Sequence, residues 1–264
     1  MLNPLVHRHF FCSDLSRQAG ENLFGTGVTA ETFILLEYPG GWEPRAITDS
    51  TLPDQVKDQL EELTRPPLRA KTLLIKQDRK YPDHITLFVV SVREQDSITY
   101  RIILESYEQM LDLDLRGLAA GRLIPGSEIV DHPLFLVCTH GRHDKCCAKF
   151  GFPTYKLMKE HEPEGTWQVS HVGGDRFASN VVCFPHGIYY GHVSPADAIS
   201  IIYNYRRGVL NLKNYRGRAC FGKESQAAEY FVRTASGITE LGALSLSSIA
   251  KFEGELRWTA HYTS

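Results

Sequence analysis

Apolar positions fall in short blocks separated by glycine, proline and charged residues, and the spacing within each block predicts an element. Residues 32–37 (TFILLE) read as a short buried strand, closed by the turn PGGW with its breakers Gly40 and Gly41. Leu52, Val56, Leu60 and Leu63 share one face at helical spacing, so a helix is predicted over 52–63, stopped by Pro66-Pro67. Residues 71–76 read as a strand. Residues 84–92 (HITLFVVSV) and 98–105 (ITYRIILE) read as a hairpin across REQDS. A helix follows over 106–120 and ends at Gly121.

The second half repeats this order. Residues 134–137 form a predicted strand that delivers Cys138 at its end. A helix is expected over 146–161, with Pro153 near its start. Residues 166–170 form a strand that delivers His171, and 180–184 and 187–192 form two more, turning at Pro185-His186. Ser194 is the expected N-cap of a helix running to about Arg207, with Pro195 at its first position and Asp197 complementing the helix dipole. A further helix is predicted over 222–236, and a strand over 255–259. The order strand, helix, strand, strand, strand, helix in each half predicts an α/β fold with a mixed sheet, built as two thioredoxin-like units packed together. The expected division is 1–124 and 125–264, at the Pro- and Gly-containing stretch GRLIPGSEIVDH. No residue-level repeat relates the halves.

Composition narrows the class. The chain has 264 residues, 42% of them hydrophobic and 23% charged, which suits an ordinary globular protein of one large or two modest domains. A net charge of -2 gives no electrostatic case for nucleic acid or for an anionic membrane. No apolar run approaches the roughly 20 residues needed to span a bilayer. The start MLNPLVHRHFFCSD lacks the charged-then-apolar arrangement of an export signal, so a cytoplasmic, reducing location is expected. In that setting the six cysteines point to metal or redox use rather than to disulfides.

Three of those cysteines lie within ten residues, in FLVCTHGRHDKCCAKFG, and the polar segment VSHVGGDRFASN follows about two dozen residues later. Cys138 and Cys147 have the spacing C-x8-C, and His171 and Asp175 the spacing H-x3-D. Two thiolates with these two further donors make one four-ligand site for a soft or borderline metal. Gly173 and Gly174 would let the loop backbone approach an inorganic cluster without side-chain clash. The start of a helix near Cys147 is expected to lower its pKa. Cys146 is an alternative second thiolate, although adjacent helical residues point about 100° apart, so only one of the pair faces the site. Cys183, His186, His140 and His143 are substitutes for the fourth place. Asp175 alternatively pairs with Arg176, and Arg142 and Lys145 would steer an anionic redox partner.

The stretches CTHGRHDKCCA, HVGGDRFASN and PHGIYYGHVSP resemble the sucrase/ferredoxin-like family, which is related to thioredoxin-like ferredoxins. The resemblance is good over 133–205 and loose in the N-terminal half. Fungal members that carry a 2Fe-2S cluster hold it with two Cys and two His, the latter as H-x3-H. Carried over by position, this implies Cys138, Cys147, His171 and Asp175 as ligands, with Cys147 rather than Cys146 as the second thiolate. The chain departs from the pattern in placing Asp175 where the second His stands. The function implied is electron transfer with an unidentified redox protein as partner.

Two other functions stay open on the residues alone: a thiol-based oxidoreductase on a thioredoxin-like fold, and a cofactor-free binding or scaffold protein. The first lacks a C-x-x-C at a helix start. No P-loop, nucleotide-binding glycine motif, G-x-S-x-G or H-E-x-x-H occurs, and no carboxylate pair stands out as glycosidase machinery.

Overall fold

The computed structural model describes residues 10–78, 83–251 and 258–263. Helix α1 (Cys12–Gln18) precedes five strands of the N-terminal half: β1 (Thr32–Glu37), β2 (Lys71–Lys76), β3 (Ile85–Ser91), β4 (Ile98–Leu104) and β5 (Ser127–Ile129). Helix α2 (Asp54–Leu63) connects β1 to β2, and α3 (Leu115–Ala119) lies between β4 and β5. The C-terminal half contributes β6 (Leu134–Cys138), α4 (Lys145–His161), β7 (Thr166–Val169), β8 (Val181–Phe184), β9 (Ile188–Tyr190), α5 (Pro195–Arg206) and β10 (Tyr215–Arg218). Helix α6 (Lys223–Ser236) and the hairpin β11 (Ser245–Lys251) and β12 (Trp258–Thr263) follow. The strand expected over 255–259 is met only from Trp258; residues 255–257 lie outside the described residues.

Ten strands form one mixed sheet in the order β10-β9-β8-β6-β7-β2-β1-β3-β4-β5. Its two halves have the same topology. In each, the first two strands are parallel across a helix, β1 with β2 and β6 with β7. The next two add antiparallel on the far side of the first strand, β3 and β4 in one half and β8 and β9 in the other. A last antiparallel strand closes each edge, β5 and β10. The halves meet edge to edge through the antiparallel pair β2–β7, at Ile75↔Val169 and Lys76↔Gln168. That pairing relates the halves by an approximate twofold. It places Glu37, paired with Ile75, where Cys138, paired with Val169, stands in the other half.

Side-chain alternation along the strands divides the core by sheet face. Phe33, Leu35, Leu73 and Ile75 share one face with Leu134, Leu136, Cys138 and Val169. On the other face Ile34, Leu36 and Leu74 pack with Val56, Leu60 and Leu63 of α2, and Phe135, Val137 and Cys183 pack with Tyr155 and Met158 of α4 and Ile201 of α5.

Two local expectations are corrected, and one strand appears where none was predicted. Residues 106–120 are not one helix: a 3-10 segment (Tyr107–Asp112) gives way to α3, because Leu113 is extended and the Asp114 carboxylate accepts from the Gly117 N–H as an N-cap. Pro153 sits in the middle of α4, not near its start. It is exposed, as is Lys149, whose carbonyl loses its helical partner, so the missing bond falls on the solvent side. The strand β10 has no apolar run, since its sequence is YRGR, yet all four residues are buried. Tyr215 donates to Glu229, and Arg218 and Arg233 pair with the same buried carboxylate at 3.5 and 3.0 Å. The α5 start is as expected: Ser194 and Asp197 form a capping box with Pro195 in the first turn.

Candidate metal centre

The end of β6 leaves Cys138 buried at the sheet face, and the loop that follows turns at once into α4. Asp144 caps that helix, its side chain accepting from the Cys146 N–H at 2.7 Å. The helix comes unusually close to the strand end at Gly151, where an added Cβ would lie 2.0 Å from the Cys138 carbonyl oxygen. Parallel pairing of β7 with β6, in the register Cys138↔Val169, brings the segment after β7 alongside the same strand end. His171 emerges there. Gly173 and Gly174 then take left-handed conformations, φ +97 and +80, and turn the chain back to Asp175. A side chain at Gly174 would also collide with Arg216, whose Nη2 lies 2.4 Å from the position of a Cβ.

This geometry gathers the Sγ atoms of Cys138 and Cys147 and a ring nitrogen of His171 within 4.8 Å of one another. Asp175 Oδ1 lies 3.0 Å from His171 Nδ1 and 3.9 Å from Cys147 Sγ. His171 Nδ1 is buried and makes no hydrogen bond of acceptable geometry, although it faces that carboxylate as an ion-pair partner. Of the two adjacent cysteines, Cys147 turns toward Cys138, whereas Cys146 turns to Cys12, with the two sulfurs 3.2 Å apart. Cys183 lies across the sheet from Cys138, and His186 bonds the Tyr205 hydroxyl at 2.7 Å. His143 stacks on His171, ring centroids 3.8 Å apart, and groups with His171 and Asp175.

Charge is distributed differently from the sequence expectation. The depressed thiol is Cys138, not Cys147. The neighbouring Cys147 thiol holds Cys138 well below the ordinary thiol range against the opposing effect of burial, and His171 adds to the shift. Cys147 is pushed up by the hydrogen bond it shares with Cys138 and by burial, with Asp175 and Asp144 nearby; these outweigh the helix N-terminus. Burial opposes charge on His171, but the Asp175 carboxylate and Cys138 beside it win and raise it to about 9. Asp175 is lowered in turn by His171. Arg176 does not reach Asp175; it pairs with Glu21 at 2.5 Å.

The cation behind the loop is Arg216, fully buried, which donates to the Gly173 carbonyl at 3.0 Å and to Asn180 Oδ1 at 2.8 Å. Asn180 Nδ2 donates to the Gly174 carbonyl at 2.8 Å. Arg216 carried no sequence signal, and Asn180 entered only as the last residue of the stretch HVGGDRFASN. The N-terminal half also reaches the site, through the loop after β1. The Glu43 carbonyl meets His140 Nε2 at 2.8 Å, the Glu43 carboxylate pairs with Arg142 at 2.7 Å, and the Pro44 carbonyl lies 3.2 Å from His143 Nδ1. Arg142 thus forms an exposed surface pair, while Lys145 lies over the Phe11 ring. A cleft of about 250 Å³ opens between this loop, Lys71–Leu73 and the imidazoles of His140, His143 and His171. The larger cavity, about 690 Å³, is lined by His84, Arg101, His132 and Trp167 and includes none of the thiols.

Among known proteins, a segment of 97 residues is 35% identical to "Altered inheritance of mitochondria protein 32" of Meyerozyma guilliermondii. The match takes in 32% of this chain and 34% of that protein, so the chain spans about a third of the length of this curated relative. Two solved variants of the thioredoxin-like 2Fe-2S ferredoxin from Aquifex aeolicus are 20% and 19% identical, each with a TM-score of 0.26, covering 29% of this chain and 89% of theirs. The family model described as sucrase/ferredoxin-like matches residues 23–217, well over half of the sequence, and the chain therefore belongs to the sucrase/ferredoxin-like family.

Proposed function

We propose that the protein is an electron-transfer protein that holds a 2Fe-2S cluster with Cys138, Cys147, His171 and Asp175. The observation that carries the proposal is the convergence of two thiols and one imidazole nitrogen within 4.8 Å, with a carboxylate 3.0 Å from that imidazole. The donor set fits the group. Thiolates and imidazole are the donors that iron-sulfur clusters take, and the buried His171 Nδ1 faces the Asp175 carboxylate at 3.0 Å without a well-formed hydrogen bond. When bound, the cluster would supply one-electron redox chemistry. The chain's own part is to hold the loop: Arg216 and Asn180 fix the Gly173 and Gly174 carbonyls, and Arg216 places a positive charge behind the anionic donors. His143 and the Glu43–Pro44 loop cover the outer side.

The test is an absorption spectrum of anaerobically purified protein, with iron and acid-labile sulfide assayed on the same sample. Broad visible absorption that bleaches with dithionite, at about two irons and two sulfides per chain, is expected. Protein that stays colourless after reconstitution with iron and sulfide would end this reading. It would then favour a thiol-based oxidoreductase, whose one supporting observation is the depressed Cys138 thiol beside Cys147 and His171. A cofactor-free scaffold is the remaining alternative.

Asp175 gives a second test. A carboxylate in place of a neutral imidazole makes the site more negative by one charge, and more negative clusters are harder to reduce. Asp175→His should therefore raise the reduction potential, by on the order of 100 mV. A redox titration showing an unchanged or lower potential would count against ligation by Asp175. The electron partner belongs to the same proposal as a redox protein, with neither nucleic acid nor membrane required. No helix among the described residues is long and apolar enough to cross a membrane. A cytoplasmic placement completes the proposal. Cell fractionation checks it, and recovery in mitochondria, the organelle in the relative's name, would replace it.

A further inference from the structure

A second pair of sulfurs lies outside the candidate centre and has no part in it. Cys12 opens α1 and Cys146 lies in the first turn of α4. They are 134 positions apart in the chain, yet their Sγ atoms are 3.2 Å from each other. We propose that Cys12 and Cys146 are a reversible modification site, forming a disulfide by exchange with a small-molecule disulfide of the glutathione type. The two sulfurs need to close only from 3.2 Å to about 2.05 Å. Access is asymmetric: Cys12 is half-buried and Cys146 fully buried. The thiolate of Cys12 attacks one sulfur of the small disulfide and releases one small thiol, leaving a mixed disulfide on Cys12. Cys146 then gives up its proton and attacks Cys12 Sγ, and the second small thiol leaves. The net change oxidises two protein thiols to one disulfide and reduces one small disulfide to two thiols.

The bond would tie together elements that the centre depends on. Helix α1 lies against the turn that carries Asp175, with Ser13 donating to the Ala178 carbonyl and Arg17 to the same oxygen at 2.8 Å. On its other side Phe11 meets Phe150 edge to face, and Lys149 lies 3.6 Å from Asp14. Cross-linked, α1 is pinned across both the N-terminus of α4 and that turn. Reduced, it is held by noncovalent contacts such as these. The inference stands on the sulfur geometry and does not require a cluster.

The test is to equilibrate the full-length protein in glutathione buffers of rising oxidised fraction, then map tryptic peptides without reduction. Oxidation should join the peptide containing Cys12 to the one containing Cys146, with a loss of about 2 Da. Two of the six free thiols should disappear from titration, and dithiothreitol should restore them. Because Cys146 and Cys147 share a peptide, the variants decide the connection. Cys12→Ser and Cys146→Ser should abolish the cross-link, and Cys147→Ser should retain it. A bond between Cys138 and Cys147 alone, or glutathione remaining on Cys12 at every ratio, would overturn the proposal. So would a zinc ion held by Cys12, Asp144 and Cys146 with no cross-link. None of these outcomes depends on iron, so they leave the cluster reading to its own assay.

Discussion

Cys138→Ala should reduce iron and sulfide loading at least about tenfold while leaving the fold intact. Loss of partners one shell further out already costs metal sites about 10- to 100-fold, and a thiolate ligand lies inside that shell. Cys138 is 1% exposed and lies among Leu134, Leu136 and Val169, so its replacement removes one buried sulfur and no hydrogen bond on which the sheet depends. The stability cost should be small, because a free cysteine in such a place behaves as a small apolar residue. Cys183→Ala supplies the control. That sulfur is just as buried, at 0% exposure, but on the other face of the sheet among Phe135 and Tyr190. Both variants should lose similar stability, and only Cys138→Ala should lose colour and iron. Equal loading in the two variants would remove Cys138 from the centre. Equal loss in both would mean that loading follows general integrity of the core, not ligation.

Much of this arrangement was legible because its signals are local. The strands TFILLE and HITLFVVSV are continuous apolar runs, and the structure forms β1 and β3 there. The Ser194–Asp197 box needs only four consecutive residues. The cysteine and histidine spacings identified four candidate donors, and the structure brings those donors to one place. What could not be read depends on partners far away in sequence. The strand pairing that continues the sheet from one half to the other is two residue pairs of β2 and β7, and edge strands advertise no partner. The repeated order of elements was legible, but the approximate twofold relating the halves was not, because it is preserved in topology and not in residues: Glu37 in one half corresponds to Cys138 in the other. Strand β10 has a polar sequence, and its arginines are buried only because Glu229, Asn180 and Thr26 neutralise or accept from them. The loop at Glu43 and Pro44 reaches His140 and His143 across nearly a hundred positions, and nothing in its composition predicts that contact.

Gly151→Ala should lower stability by about 3 kcal/mol, the upper end of the usual cost of overfilling a packed contact. For a chain of this size that corresponds to a fall in Tm of about 6–12 °C. The reason is the character of the obstacle. An added Cβ would meet the Cys138 carbonyl oxygen at 2.0 Å and its carbonyl carbon at 3.1 Å, both backbone atoms of a strand buried in the middle of the sheet. No side chain can swing aside, so α4 itself must shift away from the end of β6. The helix carries Cys147, the strand carries Cys138, and the distance between the two thiols is set by this approach. The same methyl group should therefore also reduce iron loading, although Gly151 offers no donor. Gly41→Ala is the comparison, because nothing lies within 4 Å of its Cβ position; a change within about 0.5 kcal/mol and full loading are expected there. Should Gly151→Ala melt and load as Gly41→Ala does, helix and strand would be free to separate. The close approach would then not be what positions the two thiols.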